Sequence, residues 1–145
     1  ITTARRVAFP VLFYGRKDRL MEQLTVYDAQ KQPTAATMLR DTPVPNDGYR
    51  VVVSVLLFNE AGELLIQKRQ STKKGWPSYW DYPAGGTVKA GESCYQAAER
   101  ELLEELGMTL SLEKIPSRLT VKFEEGWNEL YFVQWTGANP ELCLQ

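Results

Sequence analysis

One helix with clear start and stop signals constrains the fold of this chain more than any other feature. Ser93 can act as its N-cap, because Gln96 stands three residues later and completes a capping box. Gly107 can end it, because glycine adopts the left-handed conformation at little cost. The sequence therefore predicts a helix between residues 93 and 107. Its buried face is predicted to consist of Tyr95, Ala98, Leu102 and Leu106.

Strand-like segments lie on both sides of this helix. LTVYD and YRVVVSVLLFN are predicted strands, and the turn NEAG is predicted to pair the second of them with ELLIQKR as a hairpin. DYPAGGTV is expected to be a short extended piece broken by its glycines, and RLTVKFE and NELYFVQW to be a hairpin around the turn EGW. Strands, one helix and then more strands predict an α+β domain with the helix packed on a mixed sheet.

Composition and charge exclude several classes of protein. A chain of 145 residues forms one domain, and its net charge of −1 gives no general attraction for nucleic acid or an anionic membrane. No apolar run has the length of a membrane span. The chain has no histidine, which excludes a histidine triad, a histidine-ligated zinc site and a histidine base. Cys94 and Cys143 have no metal-binding spacing and predict reduced thiols in a cytoplasmic protein.

The predicted helix carries an unusual concentration of glutamates. Because successive residues rotate by about 100° around a helix, Glu101, Glu104 and Glu105 fall within one arc of roughly 100°. Their mutual repulsion, and their position toward the negative end of the helix dipole, both weaken the helix. Two interpretations stay open from these residues alone. One is a solvated acidic face relieved by an Arg100–Glu104 pair, and the other is a site for a hard cation such as Mg²⁺ or Mn²⁺.

The spacing around these glutamates is more specific than the glutamates themselves. It fits the pattern G-x5-E-x7-R-E-U-x-E-E-x-G-U, in which U is an apolar residue, at every fixed position. The matching residues are Gly86, Glu92, Arg100, Glu101, Leu102, Glu104, Glu105, Gly107 and Met108. This segment resembles the Nudix box. The strand segments and the loop KKGWPSYWD are similar to those of a bacterial Nudix subfamily related to isopentenyl-diphosphate isomerase.

The resemblance implies a fold and its boundaries. Nudix domains are α/β/α sandwiches with a mixed sheet, and the likeness begins at Met21. Residues 1–20 are therefore expected to be an extension that is dispensable for chemistry, and residues 21–145 the Nudix domain. In the subfamily, the strand that ELCLQ begins is followed by a closing helix, which is expected to be missing here. The expected consequences are marginal stability and an exposed apolar patch, through which the chain forms a homodimer or aggregates.

The resemblance also implies an activity and the residues that perform it. Nudix enzymes typically hydrolyse a nucleoside diphosphate linked to another group, with metal-activated water. Arg100 would orient Glu101 or Glu104, and Glu92 would brace the loop that opens the helix. Glu101 and Glu105 would be catalytic. The metal, Mg²⁺ or Mn²⁺, would be held by the backbone carbonyl of Gly86 and by Glu101, Glu104 and Glu105.

The general base has more than one candidate. Glu129 is the first choice, because the matching strand position in the isomerase relatives bears an active-site carboxylate. The alternative for Glu129 is an ordinary strand glutamate on the surface. Glu124 and Glu125, in the preceding turn, are second choices.

Substrate-binding residues are expected in the loop before the box. Arg69 and Lys73 are predicted to hold a phosphate, and the alternative for the lysine is a solvated loop. Trp80, with Trp76, is predicted to stack on a base or a prenyl group, and the alternative for both is core packing.

Two alternatives to a hydrolase follow from the same resemblance. One is a non-catalytic Nudix-fold module that binds a nucleotide-like ligand, and the complete set of box carboxylates argues against it. The other is the isomerase. Gly85 stands where the isomerase has its catalytic cysteine and Thr87 where it has a metal-binding histidine, so isomerase activity is not expected. The group linked to the nucleoside diphosphate cannot be read from the box.

Overall fold

The computed structural model describes residues 21–72 and 75–136 of the chain. Within these ranges the chain forms one α-helix, α1 (Cys94–Leu106), and eight strands. The strands are β1 (Gln23–Tyr27), β2 (Pro33–Leu39), β3 (Arg50–Phe58), β4 (Gln67–Lys68), β5 (Trp80–Asp81), β6 (Ala84–Thr87), β7 (Leu119–Phe123) and β8 (Gly126–Gln134). The predictions about residues 1–20, Lys73 and the segment ELCLQ lie outside the described residues.

A four-stranded sheet in the order β6–β3–β8–β7 forms the centre of the fold. β3 runs parallel to β8 and antiparallel to β6, while β7 and β8 form an antiparallel hairpin. β1 pairs with β2, and β4 pairs with β5, as separate two-stranded ladders. The predicted α+β domain with a mixed sheet is confirmed. No helix in the described part is both long and apolar enough to cross a bilayer.

The core lies between the main sheet and α1. Alternate residues of β3 point toward the helix and are completely or almost completely buried: Val51, Val53, Val55 and Leu57. They share one packed cluster with the helix residues Ala98, Leu102 and Leu106. Burial of a side chain of this size stabilises the fold by about 1.5–3 kcal/mol. Tyr95 is only half-buried at the margin of this cluster, so the predicted helix face is confirmed at three of its four positions.

The ends of α1 agree with the prediction. The Ser93 hydroxyl accepts a hydrogen bond from the backbone N–H of Gln96, and the Gln96 side chain accepts one from the backbone N–H of Ser93. Gly107 has a φ of 68° and donates its N–H to the carbonyl of Leu103 at 2.9 Å. Both caps satisfy backbone groups that the helix leaves unpaired, and they fix which side chains face the sheet.

The side of the sheet that faces away from α1 is only partly covered by described residues. On this outer sheet face, which we define as Leu119, Val121, Leu130 and Phe132, the register places Leu119 opposite Leu130. Leu119, Val121 and Phe132 are each close to half exposed. The predicted exposed apolar patch is therefore present in the described part of the chain.

The predicted hairpin between β3 and ELLIQKR is much shorter than expected. The turn forms, with one bridge between Phe58 and Leu64 and a hydrogen bond from the Leu65 N–H to the Leu57 carbonyl. Beyond it the chain leaves β3, because β6 occupies the same edge of β3 from Val52 to Val55. β4 pairs with β5 instead.

Two further details differ from the sequence prediction. The glycines of DYPAGGTV do not break the extended piece, since Gly85 and Gly86 both lie within β6. β2 was not predicted, because its sequence PTAATML has no apolar alternation. In the structure most of its residues are exposed. Its only buried residue, Met38, packs with Leu24 and Val26 in a small second cluster.

Candidate active site

The Glu101 carboxylate of α1 lies directly against Gly86 of β6. The Glu101 side chain is only 4% exposed, which is exceptional for a carboxylate. An ideal Cβ added to Gly86 would lie 2.0 Å from Glu101 Oε1. Gly86 therefore leaves the space that the carboxylate fills, and its neighbours on β6 pair with β3 as ordinary strand residues.

Arg100 joins the carboxylates of the motif to the sheet. Its guanidinium donates to both oxygens of Glu92 at 2.7 and 3.1 Å, to Glu101 Oε1 at 2.6 Å and to Glu104 Oε2 at 3.3 Å. It also donates to the backbone carbonyl of Thr87 at 3.1 Å. Burial acts to lower the pKa of Arg100, but the hydrogen bonds and charges of Glu92 and Glu101 outweigh it and raise the pKa. The guanidinium is thus a permanent positive centre among the three carboxylates.

Glu92 holds the loop between β6 and α1. Besides its two contacts with Arg100, its Oε2 accepts a hydrogen bond from the backbone N–H of Lys89 at 2.9 Å. Burial acts to raise the pKa of Glu92, and the hydrogen bonds from Arg100 and Lys89 reverse that effect, so the pKa is lowered. Glu92 is therefore an anion that ties the loop to the helix.

The other two glutamates of the arc are both more exposed than Glu101. Glu104 is 44% exposed and lies 3.9 Å from the Lys89 ammonium group, in addition to its contact with Arg100. Glu105 is half-buried, and its Oε2 accepts a hydrogen bond from Gln67 Nε2 at 3.4 Å. Glu105 lines a pocket together with Gln67, Arg69, Gln70, Asp81, Tyr82 and Gly85.

The donor set of this arc suits a hard divalent cation, although the carboxylates are not gathered around one point. In residues 21–72 and 75–136, no three Asp, Glu, His or Cys side chains are arranged to share an ion. Glu101 and Glu104 are turned to Arg100 instead. All the available ligands are oxygens, as Mg²⁺ and Mn²⁺ prefer, and the exposed Glu104 has room to reorient. The metal-ligand roles stay predictions.

Glu129, the first candidate for the general base, is buried and fully engaged. It is 3% exposed and accepts hydrogen bonds from Lys31, Ser117 and Thr120. Burial acts to raise the pKa of Glu129, but the hydrogen bond and charge of Lys31 and the two hydroxyl groups outweigh it, so the pKa is lowered. Val53 pairs with both Gly86 and Glu129 across the sheet. The backbones of Gly86 and Glu129 are therefore two strand spacings of about 4.8 Å apart, or roughly 10 Å.

The contact between Lys31 and Glu129 has no signal in the sequence. Lys31 lies in the β1–β2 turn with a φ of 60°, and 98 residues separate it from Glu129. Of the second candidates for the base, Glu124 and Glu125 are both exposed, and Glu125 pairs with Arg50 at 2.7 Å.

We expect the Lys31–Glu129 pair to make stability depend on pH. Because the folded-state pKa of Glu129 is lowered, its contribution is fully present above the unfolded pKa of about 4.3 and is lost as pH falls through the folded pKa. Lys31→Met should therefore be less stable than wild type at pH 7. The difference in the free energy of unfolding between the two proteins should be smaller at about pH 3. Urea unfolding at both pH values measures this, with Lys114→Met, at an exposed lysine, as the control. A gap of equal size at both pH values would contradict the expectation.

Of the three predicted substrate-binding residues, Arg69 lies at the pocket, and Trp80 is not among the residues that line it. Arg69 lines it and pairs with Asp81 Oδ2 at 2.9 Å. Trp80 is partly exposed, and the Lys68 ammonium group lies 6.0 Å from its ring centroid. Trp76, which had core packing as its alternative, is exposed and lies outside the core.

Comparison with known proteins identifies the family to which this chain belongs. A NUDIX domain model matches residues 48–142. An uncharacterized Nudix hydrolase of Listeria innocua is 40% identical over 125 residues, which cover 86% of this chain and 74% of that protein. The solved structure of DR0079 from Deinococcus radiodurans superposes with a TM-score of 0.62 at 25% identity, covering 83% of this chain and 76% of that one. The chain belongs to the Nudix family.

The relation to the isomerase branch is also confirmed. An isopentenyl-diphosphate Delta-isomerase of Klebsiella pneumoniae is 34% identical over 95 residues, which cover 62% of this chain and 49% of that protein. The match with the family model spans β3 to β8 and therefore includes α1 and the pocket. Within the family, the chain is a Nudix hydrolase, whose general reaction is on pyrophosphate bonds.

Proposed function

We propose that this protein hydrolyses the pyrophosphate bond of a nucleoside diphosphate linked to another group, with Mg²⁺ or Mn²⁺ as its cofactor. The observation that carries the proposal is the Glu101 carboxylate, held by Arg100 directly over Gly86 beside a pocket that Glu105 lines. A buried, oriented carboxylate next to a half-buried and an exposed one is suited to a polyanionic substrate only if cations lie between them. Nudix proteins generally use divalent cations.

Each residue of the arc has a distinct task in this proposal. Glu101, Glu104, Glu105 and the Gly86 carbonyl would hold the metal, which supplies phosphate charge neutralisation and a bound water of lowered pKa. Arg100 fixes Glu101 and Glu104, because it donates to both. Arg69 stands at the pocket wall and can donate to a phosphate from there.

Glu129 is our first candidate for the general base, and Glu124 and Glu125 are the second. Its lowered pKa keeps Glu129 anionic, but a base works best with a pKa near the working pH. Glu129 can therefore accept a proton efficiently only if the hydrogen bonds from Lys31, Ser117 or Thr120 are released. The pH profiles of kcat in Glu129→Gln and Glu125→Gln separate the candidates. Only loss of the true base removes the fall in kcat at low pH, because that fall reports protonation of the base.

A substrate screen tests the proposed reaction. The purified chain is incubated with Mg²⁺ or Mn²⁺ and with nucleotide sugars, dinucleoside polyphosphates, NADH, coenzyme A and nucleoside triphosphates, and the products are separated by anion exchange. Cleavage at a P–O–P bond that stops with EDTA supports the proposal. Binding of these compounds without any product would instead support the non-catalytic module.

Isomerase activity is tested in the same screen with isopentenyl diphosphate. Gly85 has no side chain that can transfer a proton, and the chain has no histidine for the isomerase metal site. We therefore expect no conversion to the allylic isomer.

We also propose a cytoplasmic location, which the two cysteines predict.

We also propose a homodimer that buries the outer sheet face. A contiguous half-exposed apolar surface on two adjacent strands is suited to self-association. Val121→Glu should shift the chain from dimer to monomer, because it places a charge on this apolar face. Sedimentation velocity at several concentrations measures the change, and Leu103→Glu, which alters an exposed leucine of α1, is the control. A wild-type chain that sediments as a monomer at all concentrations would remove the proposal.

A further inference from the structure

A second cation of the chain, besides Arg100, faces the proposed metal site. Lys89 lies in the loop between β6 and α1, and its ammonium group is 3.9 Å from Glu104 Oε1. The other oxygen of Glu104, Oε2, accepts a hydrogen bond from Arg100 at 3.3 Å. Each carboxylate oxygen of Glu104 thus faces one positive group. A metal ion that binds Glu104 has to compete with both of these groups, because like charges repel at such distances.

Lys89 has a second anionic partner outside the main sheet. Its ammonium group pairs at 2.8 Å with Oε1 of Glu22, the residue just before β1. The other oxygen of Glu22 accepts a hydrogen bond at 2.6 Å from Arg40, the residue just after β2. The ammonium group is within hydrogen-bond distance of Glu22, whereas its 3.9 Å separation from Glu104 is beyond that distance. Glu22 therefore holds the ammonium group back from Glu104.

The backbone of Lys89 is fixed between these two carboxylates. On one side, Lys89 forms an antiparallel bridge with Leu24 of β1. On the other side, its N–H donates to Glu92 Oε2 at 2.9 Å. The α-carbon therefore has a set position, and the ammonium group can move from one carboxylate to the other only by rotation about the bonds of the side chain.

Lys89 is the cation that a metal ion can displace more easily. Arg100 is 17% exposed and also donates to two other carboxylates and to a backbone carbonyl, so moving it would break several charge-assisted hydrogen bonds. Lys89 is 30% exposed, and moving it away from Glu104 keeps its pair with Glu22. Burial acts to raise the pKa of Glu22, but the hydrogen bonds of Lys89 and Arg40 outweigh it and lower the pKa. Glu22 is therefore an anion that can hold the ammonium group.

We propose that Lys89 is an internal counter-ion of Glu104 that the metal displaces, and that Glu22 raises the metal affinity by holding its ammonium group. This inference rests on the proposed metal site. Without metal, the ammonium group relieves part of the repulsion between the glutamates of α1. With metal, it stays with Glu22 and leaves the Glu104 carboxylate to the cation. Glu22 is thus a positioning residue that acts through Lys89.

Binding of Mn²⁺ alone tests this inference without any turnover, and the electron paramagnetic resonance signal of the free ion measures it. Lys89→Met keeps the aliphatic stem and removes the charge. It should tighten Mn²⁺ binding by about fivefold, the ratio that corresponds to about 1 kcal/mol for a charge pair some 4 Å apart in water. General damage to the site would weaken binding, so a gain in affinity identifies the counter-ion. Glu22→Gln should weaken binding by a similar factor, because the ammonium group it releases is left to Glu104.

The double variant Glu22→Gln/Lys89→Met shows whether Glu22 acts through Lys89. Once the ammonium group is gone, removing the charge of Glu22 should have little further effect, so the double variant should bind Mn²⁺ like Lys89→Met. The controls are Lys114→Met and Glu113→Gln, which remove the same charges at exposed positions. Both should bind Mn²⁺ like wild type.

Each other outcome removes a defined part of the argument. Unchanged or weaker Mn²⁺ binding by Lys89→Met would overturn the counter-ion role. Equal effects of Glu22→Gln with and without Lys89 would overturn the role of Glu22. In either case, wild-type Mn²⁺ binding that Glu105→Gln abolishes would leave the proposed metal site in place. A wild type that binds no Mn²⁺ would remove the metal site and this inference together.

Discussion

Glu105→Gln and Glu104→Gln should each lower kcat by roughly a thousandfold in Mg²⁺ or Mn²⁺. Removing a metal ligand forfeits several kcal/mol of charge stabilisation in the transition state, and each 1.36 kcal/mol corresponds to a tenfold change in rate. The substitution keeps the size of the side chain and removes only its charge. Glu104 is exposed and Glu105 is only half-buried, so the fold should survive. Initial rates at saturating metal measure the loss.

Two controls separate a metal role from a general loss of negative charge. Glu113→Gln changes an exposed glutamate outside the helix and should be fully active. Glu92→Gln should lose less activity than Glu105→Gln, because Glu92 contacts Arg100 and the Lys89 backbone and does not line the pocket. Removal of the metal by EDTA should abolish activity in all of them.

Thermal melting provides a second measurement that does not depend on turnover. Three carboxylates in one arc repel, and a cation between them would convert that repulsion into attraction. Mg²⁺ should therefore raise the Tm of the wild type, and it should raise that of Glu105→Gln by less. A fully active double variant Glu104→Gln/Glu105→Gln would rule out the metal site.

Local signals in the sequence were sufficient to predict α1 and its neighbouring strands. The capping box of Ser93 and the left-handed Gly107 depend on residues within a few positions of each other. The same holds for the alternation of β8 and the β-branched run of β3. Each of these features lies within a window that a propensity or a period can describe.

Features that depend on long-range contacts could not be predicted in the same way. The pairing of β4 with β5 follows from the position of β6 on the edge of β3, which no local pattern encodes. The contact of Lys31 with Glu129 joins a turn to a strand near the other end of the domain. The deep burial of Glu101 beside the exposure of Glu104 depends on how closely α1 approaches Gly86. Spacing placed both glutamates in one arc without distinguishing their environments.

Gly86→Ala should cost the enzyme both stability and activity. The added methyl group would lie 2.0 Å from Oε1, 2.4 Å from Cδ and 2.9 Å from Oε2 of Glu101, all below any tolerated contact distance. Because α1 packs directly on β6, the carboxylate can make room only by leaving its place beside Arg100. Overpacking of this kind destabilises by about 1–3 kcal/mol. Displacement of a catalytic group by about 1 Å can cost 10²-fold in rate.

A second glycine of the chain provides the matched control for this expectation. Gly75→Ala adds the same methyl group where no atom lies within 4 Å and where φ is not positive, so it should change neither Tm nor kcat. Urea unfolding and initial rates on both variants give the comparison. Adding Glu101→Ala to Gly86→Ala removes the overlap, so that double variant should regain part of the lost stability while staying inactive. If Gly86→Ala is as stable and active as the wild type, the proposed catalytic role of Glu101 in its position over Gly86 is wrong.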